Sequence, residues 1–424
     1  MEVQTNVKII TRRRVIAAIT VLVAAGSTVA IGAGVSQAGE DHHASWVGTW
    51  TTSLTEASLA NTSGSLAGFT DQSVRQIIRT SVGGDTLRIR LTDEYGTTPL
   101  TVGHVTVALP TAPASPDLIA GSVKTLTFNG RQSATVYPGA DLLSDPLRFD
   151  VPAVANLVIT MYFPTATGPT SWHWQARETS YVYAGDQTTN LSGASPKATP
   201  TSFFFLAGVD VQTRDADDAV VVLGDSISDG FGSVINTDTR WPDFLATRLQ
   251  SKQERKHVAG VLDESLSGNA VNHAGTEIGF PAIGHNGLAR LDHDVYADTA
   301  VRTVIVELGI NDIQSNGDPA DKIIAGLRQL GQQLRQRGYT AVIATLGPFE
   351  GYTSWTAAKE TTRQSVNVYI RGNHDFDAVM DLDAALRDPA APTHMRVELD
   401  SGDHIHPNAA GAEVLADAVP LDRL

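Results

Sequence analysis

The stretch "VVVLGDSISDG", residues 220–230, is a run of four apolar residues that stops at Gly224 and turns polar at Asp225 and Ser226. Three valines and a leucine with no polar residue between them read as a strand buried on both faces, the mark of a parallel sheet. In an open parallel sheet the ligand crevice lies at the carboxyl ends of the strands, so the turn after Leu223 presents Ser226 where a substrate can reach it. If a helical turn follows, its free N–H groups, that of Ser226 included, can face an anion there.

Downstream the pattern repeats. Trp241 to Gln250 reads as a helix, Val301 to Leu308 as a second apolar strand, and Ile323, Ile324, Leu327, Leu330 and Leu334 as the buried face of another helix. Gly338 closes that helix before the strand "TAVIATLG" at 340–347. Strands alternating with helices imply right-handed crossovers and a parallel sheet covered on both faces.

Upstream, the chain from about Trp46 to Val211 shows no helical period. Leu87, Ile89 and Leu91 alternate with Arg88, Arg90 and Thr92 after Gly83-Gly84, which predicts a half-buried strand leaving a turn. "HVTVAL" at 104–109, "LVITMYF" at 157–163, "TSYVYAG" at 179–185 and "SFFFLAGVDV" at 202–211 are further predicted strands. Many short strands with Gly, Pro, Asn and Asp between them predict a β-sandwich of jelly-roll type. Trp46, Trp50, Trp172 and Trp174 are expected to fill that sandwich or its contact with the α/β part. The polar segment around 213–218 is read as a linker between a β-sandwich domain, 39–212, and an α/β domain, 219–424.

The first 38 residues differ from both. Lys8, Arg12, Arg13 and Arg14 precede an apolar stretch from Val15 to Ala25, and Ser36-Gln37-Ala38 is a small-x-small cleavage pattern, so 1–38 is expected to be a secretory signal. Thr11-Arg12-Arg13-Arg14-Val15-Ile16 also resembles a twin-arginine signal. The apolar run is shorter than the ~20 residues of a membrane span, which speaks against stable insertion once the signal is removed.

The 424 residues carry a net charge of -15, and an acidic body makes nucleic acid and anionic membrane surfaces poor partners. There is no cysteine, which excludes disulfides, thiolate metal sites and a cysteine nucleophile. His404 and His406 have no third ligand at a telling spacing, so no metal site is read from them.

A serine hydroxyl is a weak nucleophile at neutral pH and needs a base. "DSGDHIHPNAAG" at 400–411 supplies one: Asp403 and His406 are three apart, so on a turn their side chains share a face. Asp403 can then fix the imidazole while its other nitrogen points at Ser226. "SLSGNAVNHAG" places Gly268 in a small-residue turn, and "VELGINDIQ" places Asn311 just past a buried strand. With the Ser226 N–H, they are candidate donors to an oxyanion. Asp225 and Asp312 are read as braces for their own loops.

These blocks, Gly224-Asp225-Ser226, Gly268-Asn269, Gly309-Ile310-Asn311-Asp312 and Asp403-x-x-His406-Pro407, resemble the SGNH hydrolases, also called GDSL esterases and lipases. Ser226, Gly268, Asn311 and His406 fall in order on the four namesake positions, with Ile227 where the family name has leucine. The resemblance covers about residues 219 to 424. "GLARLDHDVYADTAVRTVIVELGINDI" and "DFDAVMDLDAALRDP" are similar to a branch of secreted arylesterases and acylhydrolases, some associated with xylan degradation. There a β-rich region opening with a "WVGTW"-like strand precedes the hydrolase domain. The family implies a flavodoxin-like α/β/α sandwich, no cofactor or metal, and ester hydrolysis through an acyl-enzyme.

The expectation is therefore a secreted serine esterase acting on small-molecule or polysaccharide esters, with short acyl groups on polysaccharide or aryl esters as substrates. An extracellular lipase or phospholipase is the alternative. A non-catalytic polysaccharide-binding protein is a third reading, against which all four blocks are intact.

Overall fold

Val220 to Leu223 do form a buried strand, here β1 (Asp218–Gly224), every residue of which is buried in the computed structural model. β2 (Ala259–Asp263) and β3 (Val301–Glu307) flank it, and β4 (Thr340–Ala344) and β5 (Ala378–Met380) extend the sheet; all the pairings are parallel. The spatial order is 2-1-3-4-5, the flavodoxin-like order. Its switch point lies between β1 and β3, and the loops leaving those two strands carry Ser226 and Asn311. The structure describes residues 44–58, 64–251, 258–372 and 374–424; the expected signal, 1–38, lies outside the described residues.

Helices fill the connections: α1 (Ser226–Asp229) and α2 (Trp241–Gln250) after β1, α3 (Ile310–Gln314) and α4 (Ala320–Gln336) after β3, α5 (Ala357–Gly372) after β4, and α6 (Leu382–Leu386) and α7 (Ala409–Asp417) after β5. α4 buries the predicted stripe of Ile323, Leu327, Leu330 and Leu334, while Ile324 is half-buried. No helix among the described residues is long and apolar enough to cross a membrane.

The β-rich part consists chiefly of two five-stranded antiparallel sheets. One runs Ser45–Thr51, Leu206–Thr213, Gly84–Thr92 and Leu147–Val151, with Asp141–Leu143 also on Gly84–Thr92; the other runs Tyr181–Ala184, Gln72–Arg79, Asn156–Phe163, His104–Ala108 and Lys124–Thr125. Val47, Leu87 and Ile89 of the first sheet share one apolar core with Val74, Val105 and Ile159 of the second. A three-stranded sheet, Phe203–Phe204, Ser171–His173 and Thr55–Glu56, lies beside them in sequence.

Two expectations change. "SFFFLAGVDV" is two strands, because Phe205 takes a left-handed φ of 57° and passes the chain from the three-stranded sheet to a five-stranded one. The face of Arg88 and Arg90 is not open to water as a half-buried strand implies: Arg88 is only partly exposed and pairs with Asp210 at 2.8 Å, and Arg90 is buried against Asp298 and the Ala297 carbonyl of the α/β part. The far face of that strand is a contact surface.

The two parts meet at backbone distance where Ser45–Thr51 crosses β2. The Gly48 N–H donates to the Thr299 carbonyl, and a methyl group on Gly260 would lie 2.0 Å from the Gly48 carbonyl oxygen. Overpacking of this kind costs about 1–3 kcal/mol. Gly260→Ala should therefore lower stability by that order in urea unfolding, whereas Gly139→Ala, where nothing approaches the new methyl but φ is 75°, should cost only the strain of its turn.

Candidate active site

Ser226 opens α1 directly after β1. Asp225 caps that helical turn in an extended conformation, its Oδ1 accepting the Ile227 N–H at 3.0 Å, as its reading as a loop brace anticipates. Ser226 is largely buried, and its Oγ lies 2.8 Å from His406 Nε2.

His406 Nδ1 lies 2.6 Å from Asp403 Oδ2. The two sit three residues apart in the bend before α7, and Asp403 Oδ1 also accepts the N–H groups of Ile405 and His406 at 3.1 and 2.9 Å. Burial alone would raise the Asp403 carboxyl; the bonds from the His406 ring and backbone outweigh it and hold the carboxyl well below the usual range. The Phe231 ring packs on the imidazole, centroids 4.5 Å apart. His404 turns to the surface and pairs with Asp400 at 2.7 Å.

Gly268 and Asn311 line the same cavity as Ser226 and His406. Gly268 has φ of 86°, and a side chain there would also strike Ile283 Cγ2 at 2.8 Å, so the turn requires glycine. Among the described residues, none takes up the Gly268 N–H. Asn311 differs: its Nδ2 donates to the Asn269 carbonyl at 2.8 Å and to Asp225 Oδ2 at 3.1 Å, so both amide hydrogens have protein partners. Asp312 braces the neighbouring loop, accepting the N–H groups of Val271 and Asn272 at 2.8 and 3.0 Å; burial pushes its carboxyl up to about 6.

Two residues near the site are absent from the sequence reading. Arg290, buried, donates to the carbonyls of Gly224 and Glu264 at 2.9 and 2.5 Å, to Asn269 Oδ1 at 3.1 Å and to Asp294 Oδ2 at 2.6 Å. Its spacing to Asp294, four residues on, reads in sequence as an ordinary helical surface pair. His173, from the β-rich part, places Nε2 2.9 Å from Asp229 Oδ1 and Nδ1 2.9 Å from the Ser53 carbonyl. Nothing local in the sequence marks this pair, whose members are 56 residues apart.

The cavity holds about 430 Å³. One wall is apolar, formed by Phe231, Ile278, Phe280, Ile283 and Trp174, whose ring meets Phe280 edge-on at 5.3 Å. Gln314, Ser315 and Asn316 form a polar side. Trp50 and Trp172 do fill the core, whereas Trp174 belongs to this wall and Trp46 stacks under Arg88.

A serine, a histidine and an aspartate linked by hydrogen bonds at the switch point of a 2-1-3-4-5 sheet form the constellation of an α/β hydrolytic enzyme. The C-terminal half of the chain is a GDSL-like Lipase/Acylhydrolase family domain, one of the SGNH carboxylic ester hydrolases: the model of that family matches residues 222–414. No curated protein matches the chain. Among solved structures it is similar to the psychrotrophic esterase EstA from Pseudoalteromonas sp., at 17% identity over 49% of this chain and 96% of that one, with a TM-score of 0.35. It is likewise similar to a carbohydrate acetylesterase family member from Sinorhizobium meliloti (18%, 49% and 97%, 0.38) and to the M. smegmatis aryl esterase (17%, 47% and 95%, 0.37).

Burial disfavours a charged His173, but the Asp229 carboxylate and the Ser53 carbonyl outweigh it and raise the ring's pKa. A raised folded value means that this stabilisation is full below the ordinary imidazole value of ~6.5 and is lost as pH rises through the folded one. The Tm difference between the parent protein and His173→Gln should thus be largest below about pH 6 and narrow as the solution becomes alkaline.

Proposed function

We propose that this protein is an exported serine esterase in which His406 takes the Ser226 proton, Ser226 attacks an ester carbonyl, and Asp403 holds the imidazole in place. The observation that carries this reading is the unbroken chain from Asp403 Oδ2 through His406 to Ser226 Oγ, at 2.6 and 2.8 Å, opening on the cavity. The Ser226 and Gly268 N–H groups and the Asn311 amide receive the oxyanion, Asn311 exchanging its longer bond to Asp225 for it. His406 then protonates the leaving alcohol, and water cleaves the acyl-enzyme.

The apolar wall of Phe231, Phe280, Ile283 and Trp174 suits an aryl group or a short acyl chain. The polar side of Gln314, Ser315 and Asn316 suits a hydroxylated alcohol, which supports a second substrate, short acyl groups on polysaccharide. Export is supported by the basic and apolar segment before residue 39.

With nitrophenyl esters, kcat/KM should be highest for acetate to butyrate, and Ser226→Ala and His406→Ala should each lower kcat by about 10³-fold or more with the fold retained. Full activity in Ser226→Ala would overturn the mechanism, and a preference for chains of ten or more carbons would favour the lipase alternative. N-terminal sequencing of the protein from the medium of an expressing culture should give a start near Gly39; recovery only inside the cell would overturn export.

A further inference from the structure

We propose that His173, a residue of the β-rich part, positions the active site of the α/β part by locking the helical turn of Ser226 to the loop that carries Gly268. The proposal rests on the catalytic reading given above.

The lock is a single carboxylate with two loyalties. Asp229 stands three residues after Ser226 in the same one-turn helix α1. Its Oδ2 accepts both the backbone N–H of Ser267, at 2.9 Å, and the Ser267 hydroxyl, at 2.5 Å. Ser267 carries the peptide bond whose N–H belongs to Gly268, the donor left free at the cavity. Asp229 therefore fixes the distance between the helix that bears the nucleophile and the peptide that faces the oxyanion.

The other oxygen, Oδ1, is held by His173 Nε2 at 2.9 Å, and His173 Nδ1 is held in turn by the Ser53 carbonyl at 2.9 Å. Both partners accept, so both ring nitrogens donate, and the imidazolium is clamped at two points. Ser53 and His173 both belong to the β-rich part, and His173, Asp229 and Ser267 are all buried. Without His173, Oδ1 loses a charged donor in a site closed to water, and Asp229 is free to rotate off Ser267. His173 touches no reacting atom, so it is a positioning residue. Misplacement of a reacting group by about 1 Å costs about 10²-fold in rate, and such a loss falls on kcat.

The test compares nitrophenyl acetate kinetics of the full chain with those of His173→Phe, His173→Gln, Ser267→Ala and Ser226→Ala, each at a temperature well below its own Tm. His173→Phe should lower kcat by about 10- to 100-fold while KM stays within about twofold. His173→Gln, whose amide can still donate to Asp229, should recover most of that loss. A kcat for His173→Phe within twofold of the parent, with only Tm lowered, overturns the proposal. If His173→Phe does not fold, Ser267→Ala decides: a several-fold fall in kcat at unchanged Tm supports the lock, and an unchanged kcat overturns it. Ser226→Ala separates the two readings, because activity surviving there removes the catalytic assignment itself, whereas an inactive Ser226→Ala beside a fully active His173→Phe removes only the lock.

Discussion

The site depends first on the guanidinium of Arg290. It is buried, paired with Asp294, and directed at the Gly224 and Glu264 carbonyls and the Asn269 side chain, which belong to the exits of β1 and β2 and to the loop beside Gly268. A buried cation is tolerated only where its donors are satisfied, and breaking such a pair costs about 3–5 kcal/mol. Here the acceptors are the backbone of the site loops, so the demand for satisfaction becomes a constraint on their geometry. Ser53 of the β-rich part also accepts from Arg290, at 2.9 Å, while its own hydroxyl lies 2.8 Å from both Glu264 and Asp294.

Polar groups outside the Ser226–His406–Asp403 line thus do much to shape the site. Asp225, Asp229 and Asp312 each take up backbone N–H groups of the site loops or the side chains beside them. Beneath Ser226, Glu307 accepts the Ser228 hydroxyl at 2.9 Å, and Trp241 donates to that same hydroxyl at 2.9 Å. Burial raises the carboxyls of both Asp225 and Glu307, each further raised by neighbouring carboxylates. Such a floor holds its shape by hydrogen bonding, whereas the cavity above it is shaped largely by packing.

What sequence could tell follows from where each signal resides. β1 and β3 were legible because Val220 to Leu223 and Val304 to Val306 are apolar on both faces, and α4 because its stripe repeats within one helix. That Ser226, Asp403 and His406 would meet was legible because a serine at a strand end calls for a base, and the last two are three residues apart. His173, Arg290 and Trp174 were not, since their meaning lies in partners far along the chain and histidine or arginine alone has no periodic signature. The outward reading of Arg88 and Arg90 failed for a related reason: alternation tells which side chains share a face, not what covers it. The break at Phe205 was hidden by a run apolar enough for one strand.

The crossing at Gly48 has a consequence for the order in which the chain is built. Ser45–Thr51 pairs with Leu206–Thr213, some 160 residues later, and rests on β2 later still. During synthesis this first strand emerges long before either surface exists, and the closure of so large a loop must precede the contacts that reward it. The earliest described segment to leave the ribosome is thus among the last to find its place, and until then its unpaired backbone N–H and C=O groups stand open to other chains.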